Sequence, residues 1–125
     1  MVKIRRNHTS ASLSALAELS GRRVLVVTDA FLAGTELMGQ VRKALGGAEV
    51  EVFDQVIPNP DVAAVAAGLR AFLTFRPEAL VAVGGGSPID TAKAVRKLAL
   101  EQGQRAEAGF YVVPTTSGSG SEVTS

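Results

Sequence analysis

Three clusters in this 125-residue chain combine residue types and spacing suited to chemistry. The first is Gly84-Gly85-Gly86-Ser87-Pro88-Ile89-Asp90, which follows the apolar run Ala79–Val83. Glycines allow backbone angles and close approaches that a Cβ forbids. Ser87 is a good N-cap, Pro88 suits the first helical position, and Asp90 stands where a capping box places its acid. Free N–H groups at such a strand–helix turn form an anion site, and phosphate is the usual guest. The spacing Gly84-x-Gly86-x-x-Ile89 lacks the third glycine of the dinucleotide fingerprint, and no Gly-Lys-Ser/Thr follows for a P-loop. By local pattern alone, a nucleotide phosphate site and a ligand-free tight turn both remain open.

The second cluster is Asp29, at the end of Arg23-Val24-Leu25-Val26-Val27-Thr28. In a doubly wound sheet ligands gather at the carboxyl ends of strands. An acid there accepts hydrogen bonds from a ribose, or it caps the following turn, and the residues favour neither. The third is the hydroxyl- and glycine-rich run from Thr115 to Ser121, which opens after Phe110-Tyr111-Val112-Val113-Pro114. Backbone N–H and side-chain O–H groups of such loops wrap phosphate or ribose, although a polar terminus without ligand has the same composition. Loops 84–87 and 115–121 would then face one ligand.

The elements that must position these clusters are legible in the periodicity. Residues 2–6 alternate as a short edge strand, and 8–12 read as a polar turn. Leu13, Leu16 and Leu19 recur at helical spacing until Ser20-Gly21. Residues 23–29 form a continuous apolar strand of the kind buried between two helical layers. Leu37, Val41, Ala44 and Leu45 give a helix after the cap Thr35, closed by Gly46-Gly47. A strand at Val50–Phe53 precedes Pro58-Asn59-Pro60, which two prolines keep out of helix and central ladder. Asp61 caps a helix with the stripe Val62, Val65, Leu69, Phe72, and the strand 79–83 follows. The helix after the glycine turn faces inward through Ile89, Ala92, Val95 and Ala99, and 110–113 is the next strand. Strands alternating with helices predict an α/β domain with a parallel sheet and right-handed crossovers.

Composition narrows the function. Thirteen basic and twelve acidic residues give a net charge of +1 with no basic block, so nucleic acid and membrane surfaces are poor partners. Without cysteine there is no disulfide framework, thiolate nucleophile or cysteine metal site. His8, the only histidine, has no carboxylate–serine or second-ligand pattern around it and reads as a solvated loop residue. No apolar run reaches transmembrane length and no signal-peptide core is present, so a cytoplasmic location is expected.

Four motifs in order resemble the amino-terminal domain of the iron-containing (group III) alcohol dehydrogenases. They are Val27-Thr28-Asp29, Pro58-Asn59-Pro60, Gly84 through Ala94, and Pro114 through Thr124, and they span most of the chain from residue 22. The short link between Lys97 and Phe110 looks most like the propanol dehydrogenases of bacterial propanediol utilisation, some of which would sit within a microcompartment. The resemblance implies a Rossmann-like domain binding NAD. Gly84, Gly85, Gly86, Ser87, Pro88 and Asp90 match the pyrophosphate turn and its helix. Asp29 matches the acid that holds the adenosine ribose and disfavours a 2′-phosphate. Asn59 matches a residue that lines the cofactor site, and Thr115, Thr116 and Ser119 match the hydroxyl loop.

Family members also carry an all-helical domain whose Asp and three His hold Fe(2+), or Zn in some. One histidine cannot replace that set. No catalytic residue and no metal ligand is therefore nominated among residues 1–125, and the chain is expected to be the cofactor half of a longer enzyme. The segment from Asn7 to Ser12 also departs from the family's aromatic–Gly turn. The implied reaction is hydride transfer between a small alcohol, such as 1-propanol, or its aldehyde and NAD. Helices that pack against a second domain would leave apolar surface, so a homo-oligomer is expected. The rival readings are a cofactor domain of the glycerol dehydrogenase or dehydroquinate synthase kind, and a nucleotide-binding module without catalysis.

Overall fold

The structure, a computed structural model, describes residues 3–6, 9–57 and 62–115. Its strands are β1 (Lys3–Arg6), β2 (Thr9–Ser12), β3 (Arg23–Asp29), β4 (Glu49–Val56), β5 (Ala79–Gly84) and β6 (Gly109–Pro114). Its helices are a 3₁₀ helix (Leu13–Leu19), α1 (Ala30–Ala33), α2 (Glu36–Leu45), α3 (Val62–Phe75) and α4 (Gly86–Glu101). The strands form one sheet in the order β2-β1-β6-β5-β3-β4. The four strands β6-β5-β3-β4 are parallel, as the alternation of strands and helices predicts. The chain moves from β3 outward to β4, then crosses to the other side of β3 for β5. The topological switch point, where doubly wound folds open a crevice, therefore lies between β3 and β5.

The sheet is mixed rather than wholly parallel. β1 runs antiparallel to both β6 and β2, closing one edge with a hairpin. Residues 9–12, expected as a turn, are thus a strand. Edge pairing satisfied from one side only does not demand an apolar run, so Thr-Ser-Ala-Ser gives no strand signal. The leucine-rich segment after it is helical as expected but wound as a 3₁₀ helix.

Alternation along the central strands splits the core into two layers. Val24, Val26, Val81, Val83, Tyr111 and Val113 meet Leu16 and Leu19 of the 3₁₀ helix and Met38, Val41 and Leu45 of α2. Leu25, Val27, Leu80, Ala82 and Phe110 meet Phe72 of α3 and Ala92, Val95 and Ala99 of α4. All six residues of β5 are buried, as befits a strand covered on both faces. Each fully buried Val or Leu contributes about 1.5–3 kcal/mol relative to exposure, so this layering dominates the fold.

The stripe expected for α3 holds at Val65, Leu69 and Phe72, which pack on the core, and fails at Val62. Ala64, Gly68 and Phe72 are its buried face, whereas Val62 is 85% exposed. Small residues share the buried face: a Cβ on Gly68 would stand 2.8 Å from Val95 Cγ2, so glycine lets α3 lie close against α4. At the opposite end of the strands, Glu78 ties the sheet together. Its carboxylate accepts from the Arg23 N–H at 3.0 Å and pairs with the Arg22 guanidinium at 3.4 Å. The backbone hydrogen bond from Arg23, helped by the charges of both arginines, holds the Glu78 carboxyl below its ordinary pKa.

Candidate functional site

The carboxyl ends of three adjacent strands bring Asp29 and the glycine turn together with Thr115, the first residue of the third cluster. Val27 of β3 pairs with Ala82 of β5, and Gly84 pairs with Pro114 of β6. Asp29, two residues past Val27, and Thr115, next after Pro114, therefore flank Gly84 along one edge of the sheet. A backbone bond locks one side, since the Thr115 N–H donates to the Gly84 carbonyl at 3.0 Å. The other side is locked by Thr28, whose buried hydroxyl donates to the Val83 carbonyl at 2.9 Å. A polar residue in the otherwise apolar run 24–27 was the available signal for Thr28, and its spacing alone does not reveal its partner.

The glycine turn divides its work among three residues. Gly84 has φ +139, and a Cβ there would lie 2.6 Å from Pro88 Cγ and 3.0 Å from Leu32 Cδ1. It is therefore a packing glycine, held between the helix start and α1. Gly85 and Gly86 differ: a Cβ on either meets nothing within 4 Å. Their backbone borders open space, which is the cradle an anion needs.

The helix begins two residues earlier than the sequence suggests. Gly85 is the N-cap of α4, no side chain caps it, and Ser87 and Pro88 are the second and third helical residues. Ser87 is thus not the cap, and Asp90, which is exposed, closes no capping box. Glycine can take the cap conformation itself, and Pro88 still sits among the first-turn positions whose N–H would lack an intrahelical acceptor. The N–H groups of Gly85, Gly86 and Ser87 point from this turn without intrahelical partners, beside the positive end of a 16-residue helix.

Asp29 has a structural task. One carboxylate oxygen accepts from the Leu32 N–H at 2.7 Å, capping the short helix α1 that the sequence reading passed over as loop. Leu32 in turn covers Gly84, so the cap braces the turn. A carboxylate has two oxygens, and the second has no hydrogen-bond partner among the described residues. Thr35 stands at the N-cap of α2, but its hydroxyl donates back to the Leu32 carbonyl at 2.7 Å and does not cap. Asn59, Thr116 and Ser119, with Asp61 and His8, lie outside the described residues. Among the described residues no group of three or more His, Cys, Asp or Glu is arranged to hold a metal. None of the described helices is long and apolar enough to cross a membrane.

Comparison with known proteins adds to this geometry. Residues 3–125 match the family model for iron-containing alcohol dehydrogenase. The chain is 35% identical over 115 residues to the 1-propanol dehydrogenase of Citrobacter freundii, covering 91% of this chain and 31% of that protein. It is 34% identical over 123 residues to the NAD-dependent methanol dehydrogenase of Bacillus methanolicus, covering 88% of this chain and 32% of the relative. Among solved structures, an iron-containing alcohol dehydrogenase of Thermotoga maritima superimposes with a TM-score of 0.64 at 31% identity, over 75% of this chain and 27% of that one. The chain thus spans about a third of the length of the curated relatives it matches. With the switch-point edge, the glycine turn and a family match along nearly its whole length, this chain belongs to the iron-containing alcohol dehydrogenases.

Proposed function

We propose that residues 1–125 are the NAD-binding domain of a metal-dependent alcohol dehydrogenase that interconverts a small primary alcohol and its aldehyde. The observation that carries the reading is the open space over Gly85 and Gly86 beside three N–H groups at the start of α4. That arrangement fits a pyrophosphate, which needs close backbone approach and donors without side-chain bulk. Gly85, Gly86 and Ser87 would hold it, with Gly84 and Pro88 setting the turn. The free oxygen of Asp29 would accept from a ribose hydroxyl and repel a 2′-phosphate, favouring NAD over NADP. Asn59, Thr115, Thr116 and Ser119 would complete the cofactor site. The nicotinamide supplies hydride transfer when bound, and the family's iron would polarise the substrate oxygen from residues outside this chain. This chain's own residues bind and orient, and none holds or moves the reacting proton. The names of the relatives support the chemistry: one is a 1-propanol and another an NAD-dependent methanol dehydrogenase. A cytoplasmic or microcompartment location and homo-oligomeric assembly belong to the same reading.

Binding of NADH to the pure chain, followed by calorimetry, tests the proposal with Gly86→Ala as the discriminating variant. Its Cβ meets no atom of the protein, so thermal stability is expected to hold while NADH affinity falls at least about tenfold. Equal affinity in the variant and the parent overturns the pyrophosphate assignment. The chain is expected to bind NADH weakly and to show no turnover. Steady oxidation of 1-propanol by residues 1–125 with added Fe(II) or Zn(II) contradicts the assignment of chemistry to residues outside the chain.

A further inference from the structure

On the α4 side of the sheet the helix packs over β5 and β3, leaving a trough along β6 and β1. One wall is a single stripe of α4: Ile89, Lys93, Arg96 and Leu100 follow at i, i+4, i+7 and i+11. The floor is Phe110, Val112 and Pro114, alternate residues of β6 that face the same side. Arg5 of β1, paired with Val112, stands at the far wall. The trough measures about 290 Å³ at the Pro114 end and about 390 Å³ at the Gly109 end, where Arg105 lines it. Arg96 sits between the two, its guanidinium 5.4 Å from the centroid of the Phe110 ring. Four cations thus border an apolar floor, against one carboxylate, Glu107. None of the four has a salt-bridge partner among the described residues.

The opposite edge of the same sheet has the matching chemistry. β4 pairs only with β3, so its outer backbone edge is free. Glu49, Glu51 and Asp54 are all exposed along it, and the strand has no cation. Just past its end Ile57 is 46% exposed. The α4–β6 trough offers cations over apolar surface, and the β4 edge offers carboxylates.

We propose that the α4–β6 trough of one copy of this chain takes the acidic β4 edge of a second copy. Complementary charge sets register and on-rate, and covering the apolar floor of the trough supplies attraction. Because the two patches are different and lie on different parts of the sheet, the contact is heterologous. It repeats head to tail until a ring closes or a filament grows. The inference rests on the homo-oligomeric assembly proposed above and gives it a surface.

Sedimentation velocity on the pure chain over a concentration series, at low and high salt, tests it with two charge-reversed variants. Lys93→Glu with Arg105→Glu makes the trough acidic, and Glu49→Lys with Glu51→Lys makes the edge basic. The parent is expected to self-associate, more weakly as salt rises. Each variant alone is expected to associate at least about tenfold more weakly, because trough and edge then have like charge. An equimolar mixture of the two variants restores opposite charge at every contact and is expected to recover association. A parent that stays monomeric throughout ends both the homo-oligomer and this surface. A parent that associates while either variant matches it, or while the mixture stays dissociated, ends this surface alone.

Discussion

The hydroxyl of Thr28 donates to the carbonyl oxygen of Val83 at 2.9 Å, with both residues buried at the switch point between β3 and β5. This bond joins the strand that ends in Asp29 to the strand that ends in the glycine turn. It sets the spacing of the two groups proposed to bind one cofactor. Thr28→Val keeps the shape and removes the donor. A loss of about 1–2 kcal/mol is expected in urea unfolding, with the midpoint lowered and the slope unchanged.

Gly84 and the two glycines after it should respond differently to the same substitution. Gly84→Ala places a methyl 2.6 Å from Pro88 Cγ at a backbone φ of +139. Backbone strain alone costs about 1–3 kcal/mol, and the contact with a rigid proline ring adds to it. Gly85→Ala meets no such contact, so thermal unfolding should separate the two variants clearly.

Gly68 and Val95 should couple. A methyl on Gly68 stands 2.8 Å from Val95 Cγ2 and 3.4 Å from the Phe53 ring. Overpacking of about 1–3 kcal/mol exceeds the gain of about 1 kcal/mol from replacing a helical glycine. Gly68→Ala is therefore expected to destabilise the chain. Val95→Ala makes room for the new methyl, so the double variant should be more stable than the sum of the single losses. A double-mutant cycle by urea denaturation measures the difference, and strict additivity would show that the two helices do not share this contact.

Glu78 gives the fold a pH dependence of known sign. Its folded pKa lies below the ordinary value, chiefly through the Arg23 N–H, so the unfolded chain binds more protons in the acid range. The contribution is complete above the ordinary glutamate value and is lost as pH falls through the lowered one. Stability measured across that window should rise with pH, and Glu78→Gln should flatten the rise. The Arg23 side chain adds a tie to the Arg76 carbonyl at 2.8 Å that is independent of pH.

What could be read without coordinates was whatever local pattern encodes. The apolar runs at 24–27 and 79–83 announce buried parallel strands because only a strand covered on both faces lacks polar alternation. The glycine run and the residues after it announce a strand–helix turn with free N–H groups. Where local signals are weak or interchangeable, the pattern misled. Thr-Ser-Ala-Ser at 9–12 looks like a turn, yet it forms the edge strand β2 because a partner strand offers it hydrogen bonds. On α3 the stripe Val65, Leu69 and Phe72 was legible, but the burial of Ala64 and Gly68 was not, because small residues carry no hydrophobic signal of their own.

The chemical types in the site were thus written in the chain itself: the glycines, the acid after an apolar strand and the Pro-Thr-Thr loop. Tertiary structure decided their division of labour. Gly84 packs while Gly85 and Gly86 stay open, Asp29 spends one oxygen on Leu32, and Thr28 binds the neighbouring strand. These roles depend on contacts between residues up to 55 positions apart, such as Thr28 and Val83, and no window of sequence contains both partners.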